Sequence, residues 1–390
     1  MATVTVNVAP GIISWAFNQI QIERVDPKLI NNLKKWEKGE KNPTFNQLAD
    51  LSKAANIPFG YFFLKEPPVE TAPLLDYRTI DSVELQNPSR NLLDVITEMK
   101  NIQEWMRNHL IGEQNSELDF VGSLKNEKDP QKIATAMRRA LGLQINWFES
   151  SVDVDDSFKK LRNALANISI IVMMNGIVGQ NTHRKLEINE FRAFTLADKY
   201  APLIFINTND TKSGKLFSIL HEAAHIWLGI DSFFNDRYGD NQNINPIETI
   251  CNAVAAEILT PQIIFSKKWE ETKTRKEESD TIISLASYFK CGTVTIARKA
   301  LNNKYIDEPI YYSVVEKAIE NFKRQQEKKK ENPGGNYYNT ALTRYDHRFL
   351  MALNNSTQEG KTLYTDAYRL TNTNRKTFST LIENVRGHKA

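Results

Sequence analysis

Apolar positions recur along this chain with two different spacings, and the change of spacing divides it. From residue 10 to 66 the spacing is helical. Ile12, Ile13, Trp15, Ala16 and Ile20 mark a first amphipathic helix, and Leu29, Ile30, Leu33 and Trp36 fall on one face of a second. Gly39 stands where a left-handed helix stop is needed. Pro43 and Thr44 open a third helix. There Thr44 and Gln47 have capping-box spacing, and Leu48, Leu51 and Ala54 form the apolar stripe. Residues 67 to 90 hold four prolines and read as an extended linker. Residues 91 to 165 return to helical periodicity. From Ile168 the pattern changes again: Ile168 to Met174, Phe191 to Leu196 and Pro202 to Asn207 predict three short, apolar strands. A long apolar helix is expected over Leu216 to Leu228, and another over Ile247 to Leu259, stopped by Pro261. Helices continue to about residue 325. Lys328 to Gly335 is a charged, then glycine-rich, breaker with a solvated basic run, and a separate mixed segment follows. The expected fold class is α+β, mostly helical with a small sheet. The expected divisions are an N-terminal helical module (1–70), a linker and helical region (71–165), a central domain (166–325) and a C-terminal domain (326–390).

A length of 390 residues suits two or three domains, and 41% hydrophobic with 25% charged residues is an ordinary globular balance. The net charge of +3, from 50 basic and 47 acidic residues, neither demands nor excludes nucleic acid. The N-terminus lacks the pattern of a signal peptide, and no apolar run is long enough to predict a membrane span. Two cysteines, Cys251 and Cys291, cannot frame a disulfide fold, so a reducing cytoplasm is the expected setting.

The chemistry lies in the first of the two apolar helices, which contains His221-Glu222-Ala-Ala-His225. Residues four apart on a helix stand nearly above one another, so both imidazoles can reach one ion. Glu222 is offset by one residue and points beside that ion, where a carboxylate can take a proton from water. The bland alternative, two satisfied histidines on a core helix, is uncommon by accident in a chain with six histidines. A catalytic zinc takes a third protein ligand. Glu248 on the next helix is the candidate, with Asn252 four residues on and able to accept the second N–H of a ligand histidine. Glu257, about half a turn round the helix, and Cys251 are the rivals. Glu257 also reads as a buried structural carboxylate.

The run from Phe191 to Pro261 resembles the ImmA/IrrE metallopeptidases. It carries Phe-Arg-Ala-Phe, then Pro202-Leu-Ile-Phe-Ile-Asn, then Phe-Ser-Ile-Leu-His-Glu-Ala-Ala-His, then Glu248-x-x-x-Asn252-x-x-Ala-Ala-Glu257-Ile-Leu-x-Pro261. It departs from the family at Cys251, where alanine is usual. The resemblance implies a gluzincin-like zinc peptidase domain with His221, His225 and Glu248 as ligands and Glu222 as base. Zn2+ is the implied cofactor, with Mn2+ an alternative. The implied partner is a protein substrate, a DNA-binding repressor, in a bacterial, phage or mobile-element stress circuit. Ile204, Phe205 and Ile206 would form an edge strand along which substrate pairs.

Trp36-Glu37-Lys-Gly39…Pro43-Thr44 is similar to the XRE-type helix-turn-helix signature, and Gly334-Gly-Asn-Tyr-Tyr-Asn resembles a C-terminal extension seen in such fusions. Between Trp15 and Trp36 the chain is short for that motif. Residues 1–66 carry eight basic against six acidic residues, a thin surplus for phosphates. DNA binding through residues 10–66 is therefore weighed against a helical module for protein contacts. The alternative to an enzyme is a DNA-binding regulator or scaffold with an inactive or metal-sensing peptidase domain. Aromatics of the tail, among them Tyr345, Phe349, Tyr364 and Phe378, read as core. His183, Tyr238 and Tyr338 are candidates for oxyanion stabilisation, each with a structural reading beside it.

Overall fold

The structure is a computed structural model and describes residues 5–20, 26–55, 57–68, 88–234, 246–274, 277–331 and 343–387. Most of the expected linker, Tyr238, the run from Gly334 to Asn339 and His388 lie outside the described residues.

Fifteen helices and six strands are formed among the described residues, consistent with the α+β expectation. At the N-terminus, α1 (Pro10–Asn18), α2 (Pro27–Glu37) and α3 (Phe45–Ala55) share their own core of Ile12, Ile13, Ala16, Leu33, Trp36, Leu48 and Leu51, closed by Phe62. The capping box is made as its spacing predicts: Gln47 N–H donates to Thr44 Oγ1 at 3.3 Å, and Thr44 N–H donates to Gln47 Oε1 at 2.9 Å. Asp26 caps α2 by accepting from Lys28 N–H at 2.9 Å, with Pro27 at the first helical position. Residues 38–44 separate α2 from α3. That span exceeds the three- or four-residue turn that joins the two helices of a helix-turn-helix.

Helix α4 (Arg90–Gly112), α5 (Pro130–Ala140) and α6 (Val154–Asn167) precede the sheet. The predicted strands form as β1 (Ile171–Asn175), β4 (Ala193–Leu196) and β5 (Leu203–Asn207). A hairpin of β2 (Ile177–Val178) and β3 (Asn181–Lys185), and β6 (Ser232–Phe234), were not foreseen. The order in the main sheet is β1-β5-β4-β6, with β1 parallel and β4 antiparallel to β5. Period-two alternation divides its side chains cleanly. Val172, Met174, Ala193, Ile204 and Ile206 join the core beneath α7 (Lys212–Leu228) and α8 (Pro246–Leu259). Ile171, Met173, Phe194, Leu203 and Phe205 join a second core on the other face.

The order corrects one expectation. Ile204, Phe205 and Ile206 belong to an interior strand, hydrogen-bonded on both sides and at most 1% exposed, so no substrate strand can pair there. The continuous apolar run marked the strand but carried no information about its neighbours. Among the described residues the outer strands of this sheet are β1 and β6.

Helices α9 (Gln262–Lys273), α10 (Glu278–Phe289), α11 (Thr293–Asn302) and α12 (Glu308–Glu331) complete the α7 side. Lys328 to Lys330, expected as linker, continue α12, because Lys, Glu and Gln are good helix formers and need no packing partner to extend a helix by a turn. The C-terminal stretch is helical where described, as α13 (His347–Gln358), α14 (Tyr364–Leu370) and α15 (Arg375–Gly387). Phe349, Leu353, Phe378 and Leu381 enter the same core as α4 and the back of the sheet. Tyr345, Phe349 and Phe378 are buried as expected, whereas Tyr364 is 47% exposed. Among the described residues no single helix is long and apolar enough to cross a membrane.

Candidate metal centre

Helix α7 is fixed at both ends. Thr211 caps its start by accepting from Gly214 N–H at 2.8 Å. Gly214 is required there, since a Cβ would stand 2.4 Å from a carboxylate oxygen of Asp210. Gly229 ends the helix with φ of +69°, and Ile230 N–H donates to His225 O at 3.1 Å, closing a left-handed stop. Residues 122 and 124 then donate their N–H groups to Ile226 O and Trp227 O at 2.9 and 3.0 Å, satisfying carbonyls that the helix leaves free. Thirteen of the seventeen residues of α7 are buried, so the histidines face protein rather than water.

Helix α8 packs against α7, with Cys251, Val254, Ala255 and Ile258 in the shared core. That packing brings His221, His225 and Glu248 together, with one ligand atom from each lying within 4.8 Å of the others. Nε2 of His221 is 3.0 Å from Oε2 of Glu248 and 3.2 Å from Nε2 of His225, which is 3.5 Å from Oε1 of Glu248. The histidine side chains are at most 1% exposed and Glu248 is 16% exposed. Solvent therefore reaches the cluster from the carboxylate side.

Asn252 decides the tautomer. Its Oδ1 lies 2.9 Å from Nδ1 of His221, and a carboxamide oxygen only accepts, so Nδ1 carries the hydrogen and donates. Nε2 then presents a lone pair toward His225 and Glu248. A carboxylate and imidazole lone pairs converging in a buried space repel one another unless protons or a metal ion sit among them. Burial pushes both imidazoles toward lower pKa values, yet Glu248 overrides it and holds both above the usual histidine value. Burial would raise the Glu248 carboxyl, but the two histidines bring it well below the usual carboxylate range. Nδ1 of His225 and Oε1 of Glu222 are buried with no hydrogen-bond partner among the described residues, as happens where water or an ion completes a site. Two nitrogens, one carboxylate and a shielded pocket fit zinc.

Glu222 is fully buried, one residue along from the first histidine. Its Oε2 accepts from Thr195 Oγ1 at 2.6 Å and from Ser232 Oγ at 2.5 Å. Neither hydroxyl was foreseen in the sequence. The available signal was Thr195 itself, a polar residue at a core-facing position of an otherwise apolar strand.

The rivals for the third position are placed elsewhere. Glu257 accepts from Lys299 Nζ at 3.0 Å and from Gln262 N–H at 3.1 Å, tying the end of α8 to α9 and α11. Cys251 is buried beside His221 with its thiol pushed up to about 12 by burial, which disfavours a thiolate. His183 is exposed on β3 and outside the cluster.

A buried helix with two histidines four residues apart, a carboxylate from the neighbouring helix and a small sheet beside them make a metallopeptidase-like domain. Residues 180–301 match the model of peptidase family M78, described as IrrE N-terminal-like domain. Residues 345–384 match a Domain of unknown function (DUF8813), which covers most of α13 to α15. No curated protein matches the chain.

Proposed function

We propose that the protein is a zinc-dependent endopeptidase that cleaves a specific regulatory protein, a DNA-binding repressor, in a bacterial, phage or mobile-element stress circuit. The observation that carries the chemistry is the convergence of His221 Nε2, His225 Nε2 and the Glu248 carboxylate with Asn252 fixing the tautomer. The repressor is what the resemblance to the ImmA/IrrE metallopeptidases implies, and the match of residues 180–301 to the IrrE N-terminal-like description supports the peptidase domain alone. His221, His225 and Glu248 would hold the ion and leave a fourth position open; manganese suits the same donors. When bound, the metal supplies Lewis-acid polarisation of water and of the scissile carbonyl. Glu222 takes a proton from the attacking water and returns it to the nitrogen of the breaking C–N bond, so that an acid and an amine leave. Burial of the histidines and Glu222 keeps bulk water from competing for these protons.

Co-expression with the DNA-binding proteins encoded beside the gene tests this. A fragment of one of them appearing with the wild-type chain and not with His221→Ala is the expected result, and intact regulators throughout would overturn the substrate assignment. The regulator reading has one observation of its own: Lys28, Lys34, Lys35 and Lys38 are exposed on and just after α2. It predicts a loss of cellular function on changing these lysines, with no effect of Glu222→Gln.

A further inference from the structure

Glu222 is held in an unusual way, and the holding groups come from the sheet. Thr195 is in β4 and Ser232 in β6, and the two are register partners across the antiparallel pair. Register partners project to the same face, here the face beneath α7. Both hydroxyls approach the same oxygen, Oε2, at 2.6 and 2.5 Å. The three side chains are 0%, 6% and 0% exposed for Thr195, Ser232 and Glu222. Thr195 Oγ1 also lies 3.0 Å from the main-chain oxygen of Glu222, whereas Ser232 reaches the carboxylate.

We propose that Thr195 and Ser232 are positioning residues that fix the rotamer of Glu222, committing Oε2 to the sheet and leaving Oε1 as the oxygen that exchanges protons. The claim rests on the peptidase reading for its consequence and on geometry for its content. A free glutamate on a helix samples several rotamers. Two donors on one oxygen select one of them and distinguish two otherwise equivalent oxygens. Oε1, which has no hydrogen-bond partner among the described residues, is the complement of this arrangement. It also assigns a role to β6, an outer strand whose register must hold for Ser232 to reach the base. Misplacing a reacting group by about 1 Å costs on the order of 100-fold in rate.

The test compares crystal structures of the wild-type chain, Thr195→Val, Thr195→Ser, Ser232→Ala and the Val/Ala double variant. Metal content is measured on each, and each is given a pool of random-sequence decapeptides with cleavage read by mass spectrometry. In the double variant the Glu222 carboxylate is expected to leave its wild-type place by about 1 Å or more, with turnover falling roughly 100-fold. His221, His225 and Glu248 should stay in place and metal content should match wild type. Thr195→Ser, which keeps the hydroxyl, should restore both position and turnover. An unmoved carboxylate in the double variant overturns the proposal, as does a carboxylate that moves without loss of turnover. If the double variant fails to fold, Ser232→Ala decides, because it removes a donor from the carboxylate alone. Should the wild-type chain hold metal yet cleave nothing in the pool, as a peptidase confined to one protein would, co-expression with the neighbouring DNA-binding proteins decides the peptidase reading and the crystal structures decide the positioning claim.

Discussion

Glu222→Gln is the sharpest substitution at the scale of single residues. The glutamine oxygen can take the place of Oε2 and accept from Thr195 and Ser232, while the amide nitrogen sits where Oε1 was and can no longer accept a proton. Metal content and thermal stability should therefore stay close to wild type, while cleavage falls by about 10²- to 10⁴-fold, the usual loss of a general base. The metal ligands respond differently. Glu248→Ala should deplete bound zinc and Glu257→Ala should not, because Glu257 is engaged by Lys299 and Gln262. Elemental analysis of the two purified variants checks this, and depletion only in Glu257→Ala would contradict it. The cluster also sets a pH dependence. Without metal, the raised histidines stabilise the fold below their ordinary value of 6.5 and lose that contribution as pH rises through their higher folded values. Glu248, lowered in the fold, contributes above its ordinary value of 4.5 and loses that contribution as pH falls through its lower folded value. The metal-free protein should thus gain most from this cluster between those two values. Since metal competes with protons for the same imidazoles, the rise in melting temperature on adding zinc to stripped protein should grow as pH increases from about 6 to 8. A rise that shrinks over that range would contradict the assigned ligands. The histidine pair, its glutamate and Asn252 were legible as a spacing of four on two helices. Thr195 and Ser232 were not, because their meeting depends on a strand register that nothing local encodes.

At the scale of elements, α7 owes its placement to glycines at close approaches. Gly229 has φ of +69°, and a Cβ on it would stand 2.8 Å from Gly122 Cα, in a loop that itself caps the helix. Gly229→Ala should cost about 1–2 kcal/mol from the left-handed backbone alone, with a further 1–3 kcal/mol or so from the overlap with Gly122. Chemical denaturation measures it, and a change under about 0.5 kcal/mol, the level of neutral surface substitutions, would show that neither constraint operates. The helix itself was readable from its apolar run and its terminal glycine, but the loop that covers its end was not, since Gly122 and Gly229 are distant in sequence. The sheet gives the same lesson. Three strands were visible as short apolar runs. Their order was not, because Leu203 to Asn207 is apolar on both faces whether it lies at the edge or the centre. The three-residue β6 offers too short a pattern to be recognised.

Across the whole molecule, the sheet joins two cores, one beneath the candidate site and one formed with α4 and the C-terminal helices. The C-terminal helices also guard the outer edge of β1. Asp346 Oδ2 accepts from Val172 N–H at 3.3 Å, and Arg162 donates to Val172 O at 3.1 Å and to Tyr345 O at 2.9 Å. An outer strand is thereby denied to other chains. Removing residues 343–387 should uncover Ile171, Met173, Leu203 and Phe205 together with that edge, giving an insoluble or unfolded product rather than a smaller active enzyme. A soluble, cooperatively melting, metal-loaded truncation would contradict it. The sequence suggested a separate tail because a glycine-rich breaker precedes it, and contacts with residues some two hundred positions earlier leave no local trace. What the whole arrangement is for is answered most directly inside a cell of the source organism, by comparing every new protein N-terminus that appears on induction of the wild-type chain with those that appear with Glu222→Gln. The account predicts one or a few new termini within a DNA-binding regulator with the wild type and none with the variant at equal expression. Identical sets from the two would contradict it.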